Sequence, residues 1–151
     1  MKRSLLNFAL ISALGISFVG CVQNQPKSTA ELMYGKTAEE SAVTLQKEMK
    51  FPRAITKDIT LSNVEIDSND KGMSVWTYQS KMLPKKGNED FFLNQEKSLE
   101  HAGTKKTILD TCKELYPFYQ NGGKLKTIVK WSNGKPLQEF IVDKSVCDSL
   151  N

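Results

Sequence analysis

The sequence predicts an α+β domain: about four antiparallel strands in two hairpins, with two helices packed on the sheet, in the order α-β-β-α-β-β. Three observations carry this. Asn133-Gly134 sits between two β-rich runs, residues 124–131 and 137–142, and Asn-Gly is the strongest short hairpin cue because both residues tolerate positive φ. Ala38, Ala42, Leu45 and Met49 recur at helical spacing behind Thr37 and Glu40, which have the spacing of a capping box. Ile108, Leu109, Cys112 and Leu115 form a second helical stripe. The simplest arrangement puts both helices on one face of a four-stranded sheet, and a sandwich with a helix on each face competes with it.

The first helix is expected over residues 38–50. Phe51-Pro52 ends it, because proline disfavours helical geometry in the residue before it. Ser28 and Glu31 repeat the capping-box spacing, but the Thr37–Glu40 pair makes the better start. Ile55, Ile59 and Leu61 then share one strand parity while Val64 and Ile66 share the other, which calls for a bulge near Ser62-Asn63. Residues 68–72, SNDKG, are turn chemistry. Residues 73–82 form the second strand, with Trp76 and Tyr78 on one side and Val75 on the other, and residues 83–88 form a loop.

Residues 89–116 read as helix in two pieces, with Phe92, Leu99 and Ala102 striping the first, a break near Gly103-Thr104, and Pro117 as the end. In the last hairpin, pairing across the turn sets Trp131 opposite Pro136, Val129 opposite Gln138, Thr127 opposite Phe140 and Leu125 opposite Val142. Leu125, Val129, Trp131, Phe140 and Val142 then line one face, the expected core face.

The N-terminal residues follow another logic. Lys2 and Arg3 precede a mostly apolar, uncharged run from Leu5 to Val19. It is shorter than the roughly 20 residues a spanning helix needs, and it has the form of an export signal. An A-x-A-like cleavage site is absent; Phe18-Val19-Gly20-Cys21 stands there instead. This stretch resembles the lipobox of bacterial lipoproteins, a resemblance confined to residues 1–22. It implies diacylglycerol on the Cys21 sulfur, cleavage before Cys21 and acylation of the new amino end. Phe18 departs from the usual leucine, which implies slower processing at worst. Several acyl chains on one residue hold firmly where a single chain binds reversibly. Val22, where aspartate retains enterobacterial lipoproteins in the inner membrane, implies the outer membrane, facing the periplasm. The expected organisation is a signal peptide over residues 1–20, a lipidated N terminus and tether over 21–36, and a single periplasmic domain over 37–151.

Three cysteines occur in all. With Cys21 taken by lipid, Cys112 and Cys147 remain, and in an exported chain two remaining cysteines are expected to pair. Such a bridge would staple the second helix to the final hairpin. The layout resembles small periplasmic domains in which a helical cysteine precedes a last hairpin and a second cysteine closes it. That resemblance brings no function with it.

Full-chain charge is +4 from 21 basic and 17 acidic residues; without Lys2 and Arg3 it is 19 − 17 = +2. The balance is uneven, with lysines 81, 85, 86, 105, 106, 124, 126 and 130 giving the middle of the chain a basic cast. That reads first as a solvated face, and second as a patch for anionic headgroups, peptidoglycan carboxylates or an acidic partner. Nucleic acid is not an expected partner outside the cytoplasm.

The sequence holds no G-x-S-x-G, no H-E-x-x-H, no Gly-rich phosphate loop and no EF-hand spacing. His101 is the single histidine and is expected to cap a helix or face solvent. Glu39-Glu40 and Glu89-Asp90 stand at expected helix starts, where acids favour the helix dipole. Asp67 and Asp70 flank a turn. No catalytic residue, metal or cofactor is therefore expected. Trp76, Tyr78, Tyr116 and Tyr119 are candidates for an exposed partner surface, since Tyr and Trp are enriched at interfaces, although core filling competes for them. The expected function is a non-catalytic binding module, lipid-anchored at the membrane and partnered with another envelope protein. The alternative is a protective lipoprotein acting against a toxin, phage or conjugation machinery.

Overall fold

A computed structural model describes residues 27–150. The signal peptide, the Cys21 lipobox and residues 21–26 of the expected tether lie outside the described residues. Ser28 caps α1 (Thr29–Met33) and Thr37 caps α2 (Ala38–Glu48), each through a complete capping box with Glu31 and Glu40. Both boxes offered by the sequence therefore form. The expectation that the tether runs to residue 36 is corrected by α1: Leu32 and Met33 are buried in the domain core, so the fold begins about eight residues earlier than expected.

After α2 come β1 (Arg53–Ala54), β2 (Ile59–Ile66) and β3 (Met73–Ser80). Three helices follow, α3 (Gln95–Glu100), α4 (Ala102–Glu114) and α5 (Tyr116–Gln120). The chain closes with β4 (Lys124–Lys130), β5 (Pro136–Val142) and α6 (Lys144–Leu150). The α+β class holds, but the expected four strands and two helices understate it: the described residues form a five-stranded sheet and six helices. The sheet order is β1-β2-β3-β4-β5.

The sheet is not wholly antiparallel, which corrects a second expectation. β3 and β4 pair in parallel, Trp76 beside Thr127 and Tyr78 beside Val129. A parallel neighbour requires a crossover rather than a tight turn, and the three helices between Ser80 and Lys124 supply it. The other pairs are antiparallel. The expected bulge appears between Leu61 and Asn63, and it lets Ile59, Leu61, Val64 and Ile66 reach one face despite their mixed parity.

That face is the core face. Val64, Trp76, Tyr78, Leu125, Val129, Phe140 and Val142 lie on it and share one cluster with the buried residues of α1, α2, α4, α5 and α6. The α2 stripe of Ala38, Ala42 and Leu45, continued by Met49, is buried throughout. The hairpin register is as expected at Leu125–Val142, Thr127–Phe140 and Val129–Gln138. A shift after Val129 then pairs Lys130, not Trp131, with Pro136.

The segment expected to be helical from residue 89 differs most. Residues 89–94 are not helical, and Leu93 instead bridges to Gln138 of β5. The break between α3 and α4 falls at His101 rather than at Gly103-Thr104. Pro117 starts α5 rather than ending the run, since the first helical turn has no use for its missing N–H. Phe92, Leu99 and Ala102 are not fully buried, whereas Ile108, Cys112 and Leu115 are.

Candidate functional site

Among the described residues no group of three or more His, Cys, Asp or Glu side chains could hold a metal ion. The features that organise the surface are a cystine, two strand-edge caps, a buried polar network and a few exposed apolar side chains.

Cys112 and Cys147 form a disulfide with their Cα atoms 5.6 Å apart. The pairing matches the sequence expectation, but its partner element does not. Cys147 lies on α6, so the bridge joins α4 to α6 rather than a helix to the hairpin. Asp143 starts α6, accepting from the Val146 N–H at 2.9 Å. Both sulfurs are buried, Cys147 completely, and neither is a free thiol.

Side-chain amides cap part of each side of the sheet. At β5, Leu93 pairs its backbone with Leu137 and Glu139. Gln95 then continues that pairing with its side chain: Ile141 N–H donates to Oε1 at 2.6 Å, and Nε2 donates to the Ile141 carbonyl at 3.0 Å. At the other edge β1 covers only Thr60 and Leu61, and Gln46 Nε2 donates to the Val64 carbonyl at 2.7 Å. Unpaired strand edges invite association with other chains, and natural sheets cover them. No sequence pattern marked Gln46 or Gln95, because each acts on a strand distant in the chain.

A polar network lies beneath the α3–α4 junction. Gln138 Nε2 donates to Ser98 Oγ at 3.2 Å and to Thr104 Oγ1 at 3.0 Å, and Ser98 Oγ donates to the Leu93 carbonyl. All three side chains are buried, where polar groups need such partners. His101 completes the cluster as the N-cap of α4, its Nδ1 accepting from the Thr104 N–H at 3.4 Å. The capping role expected of this histidine is the one it has.

The aromatic surface is corrected by burial. Trp76, Tyr78 and Tyr119 are at most 1% exposed, so no partner can touch them without unfolding the core. Trp76 and Tyr78 point from β3 to the helical side of the sheet, Tyr119 comes from α5, and all three fill the core between them, as large aromatics do. Trp76 Nε1 donates to Ser74 Oγ at 2.9 Å. Burial pushes both tyrosine phenols far above their ordinary range. Of the four candidates only Tyr116 is accessible, at 38%. The other exposed large apolar residues among those described are Tyr34, Val43 and Leu83.

The lysine-rich middle is partly neutralised. Lys124 pairs with Asp70 at 2.8 Å, Lys126 with Glu139 at 2.8 Å and Lys106 with Asp110 at 3.1 Å. The Lys124 ammonium and the Gly72 N–H hold the Asp70 carboxyl below its ordinary range. The Thr37 N–H and hydroxyl do the same for Glu40, while burial and the nearby Asp110 raise Glu114. These groups serve caps, turns and surface pairs, and they do not converge on a common cleft.

Among the described residues no helix is long and apolar enough to cross a membrane. Neither a protein-family model nor a curated protein sequence matches the chain. Solved structures with a comparable course include a candidate secreted protein from Pseudomonas aeruginosa, at 12% identity and a TM-score of 0.45 over 73% of this chain and 92% of that one. Another is the pilotin EpsS of the Vibrio vulnificus type 2 secretion system, at 14% identity and a TM-score of 0.40 over 73% of this chain and 87% of that one. Likenesses this distant carry no function to the chain.

Proposed function

We propose that this chain is a lipid-anchored envelope protein whose domain works as a non-catalytic binding module at the periplasmic face of the outer membrane. The observation that carries the reading is Phe18-Val19-Gly20-Cys21 directly after a short, uncharged apolar run. A cysteine at that boundary has a chemical use, attachment of lipid, which leaves an even pair of cysteines for the fold. The cystine between Cys112 and Cys147 supports the same address, because disulfides persist in oxidising compartments and are rare in the cytosol. The capped stretches of the sheet edges suit a module that meets its partner through selected side chains rather than by open strand pairing.

The test begins with Cys21→Ser. Loss of labelled-palmitate incorporation and release from the membrane fraction are the expected results; if neither changes, Cys21 is not the anchor. Crosslinking in intact cells followed by capture of the wild-type chain should then recover one specific envelope protein. Failure to enrich any such protein, with lipidation intact, would count against the binding role.

A further inference from the structure

Two of the exposed apolar side chains lie on or beside the first two helices, close in sequence to Cys21. Tyr34 follows α1 and is 72% exposed, and Val43 on the outer side of α2 is 60% exposed. Gly35, Lys36 and Thr37 line a shallow concavity with Glu39, Glu40 and Val43, so the loop after Tyr34 and the outer face of α2 form one continuous surface. On the inner side of the same two helices Leu32, Met33, Ala38, Ala42 and Leu45 are buried, so the core does not need Tyr34 or Val43.

We propose that this surface rests on the membrane that holds the lipid, with Tyr34 seated among the headgroups and acyl-chain ends. The inference rests on the lipid attachment at Cys21. Six residue steps separate Cys21 from Lys27, and even a fully extended chain spans at most roughly 3.3–3.6 Å per residue, about 20 Å here. α1 is one short helix of five residues that rises about 1.5 Å per residue, so Tyr34 stands roughly 10 Å further along. Tyrosine is enriched at the membrane–water interface, where its ring is buried and its hydroxyl stays wet. The surface itself carries Lys36 against Glu39 and Glu40, a balance of 1 − 2 = −1. Attraction to anionic lipid therefore contributes little, and the bilayer it fits is zwitterionic. Apolar contact this small is weak alone, but the lipid supplies a high effective concentration of membrane. The consequence is a fixed orientation, with the α1–α2 side turned to the bilayer; Leu83, which is exposed but follows β3 rather than these two helices, serves as the reference position.

The experiment uses the lipidated full chain in phosphatidylcholine vesicles with and without brominated acyl chains, which quench nearby tryptophan. Trp76 and Trp131 are buried and set the background. Tyr34→Trp should lose emission in brominated vesicles beyond the wild-type loss, Val43→Trp should do so to a smaller degree, and Leu83→Trp should not. No added quenching in Tyr34→Trp or Val43→Trp, with palmitate label present, overturns the seating and leaves the anchor intact. Equal quenching of Tyr34→Trp and Leu83→Trp also overturns it, because the domain then has no preferred face. Quenching absent at Tyr34→Trp while Tyr34→Ser removes a crosslinked protein from intact cells would assign the surface to a protein instead. Absence of palmitate label removes the anchor and the inference together.

Discussion

The side-chain amide of Gln95 holds both backbone groups of Ile141, accepting from its N–H at 2.6 Å and donating to its carbonyl at 3.0 Å. One side chain thus stands in for a strand residue along the edge of β5. Gln95→Ala would leave a half-buried donor and acceptor without a partner, which costs roughly 1–3 kcal/mol. The expected result is a melting temperature lower by several degrees and, because the edge is open, faster aggregation on mild heating. Gln95→Glu separates the two bonds: its carboxylate can still accept from the Ile141 N–H but cannot donate to the carbonyl. Its stability should fall between wild type and Gln95→Ala in thermal unfolding. A Gln95→Ala chain that melts and stays soluble like wild type would show the edge cap to be dispensable.

The cystine sets a second expectation. Cys112 and Cys147 are 35 positions apart, and closing a loop of that size stabilises by about 3 to 4 kcal/mol in the chain-entropy picture, often less in practice. The loop contains α5, β4 and β5 and ends on α6, a helix of seven residues that would be marginal alone. Reduction, or Cys112→Ser, should therefore lower the melting temperature, and hydrogen exchange should quicken first in α6. Thiol titration of Cys112→Ser should find one free thiol at Cys147 in the processed chain. Uniform quickening across the sheet and α6 alike would mean that the bridge acts on the whole fold rather than on this helix.

What the sequence made legible follows the range of each signal. Capping boxes at Ser28 and Thr37, the α2 stripe, the bulge near Ser62 and the Asn133-Gly134 hairpin are local, decided within a few residues of chain, and all are present. The parallel pairing of β3 and β4 was not legible, because strand direction depends on where a long helical connection delivers the chain. Residues 89–94 misled because Phe91-Phe92-Leu93 suit a helix or an edge segment equally, and β5 makes the choice from far along the sequence. Trp76 and Tyr78 were correctly placed on one face of a strand. Which face is covered depends on the helices, and core filling, the competing reading of these aromatics, holds for all but Tyr116. α6 went unseen because seven residues carry too little periodicity; its place is made by Asp143 and the cystine.

Acid should weaken the fold through Asp70. Its Oδ1 accepts from the Gly72 N–H and its Oδ2 from Lys124 Nζ, tying the β2–β3 turn to the start of β4. Lys124 first and the Gly72 N–H second lower the Asp70 pKa in the folded state. A lowered folded pKa means stability that is present above the ordinary aspartate value of about 3.9 and lost as pH falls through the folded one. Glu40 and Glu89 are lowered too and act in the same direction, whereas the raised Glu114 opposes them. The same pair raises the Lys124 pKa, so its other limb is lost as pH rises through the lysine range. Asp70→Asn keeps an oxygen for Gly72 but loses the charge. Melting temperature against pH should fall less steeply below about pH 4 in this variant than in wild type. Identical acid slopes would remove Asp70 from the account.

Gly123 is the point where the core leaves no room for a side chain. It follows Gly122, whose φ of +82° turns the chain out of α5, and its N–H donates to the Phe118 carbonyl at 3.0 Å. A Cβ at Gly123 would lie 2.5 to 2.7 Å from three atoms of the Phe118 ring. Phe118 is 1% exposed and sits edge-on to Tyr119 with ring centroids 5.4 Å apart, so the ring has little freedom to withdraw. Overpacking of this kind costs typically about 1–3 kcal/mol, and Gly123→Ala should lower thermal stability accordingly. The cause can be isolated with Phe118→Leu, which itself destabilises but removes the ring. In that background Gly123→Ala should cost measurably less, a coupling that a double-mutant cycle reads directly. Equal cost in both backgrounds would place the requirement for glycine in the backbone at the α5–β4 turn instead of in the contact with Phe118.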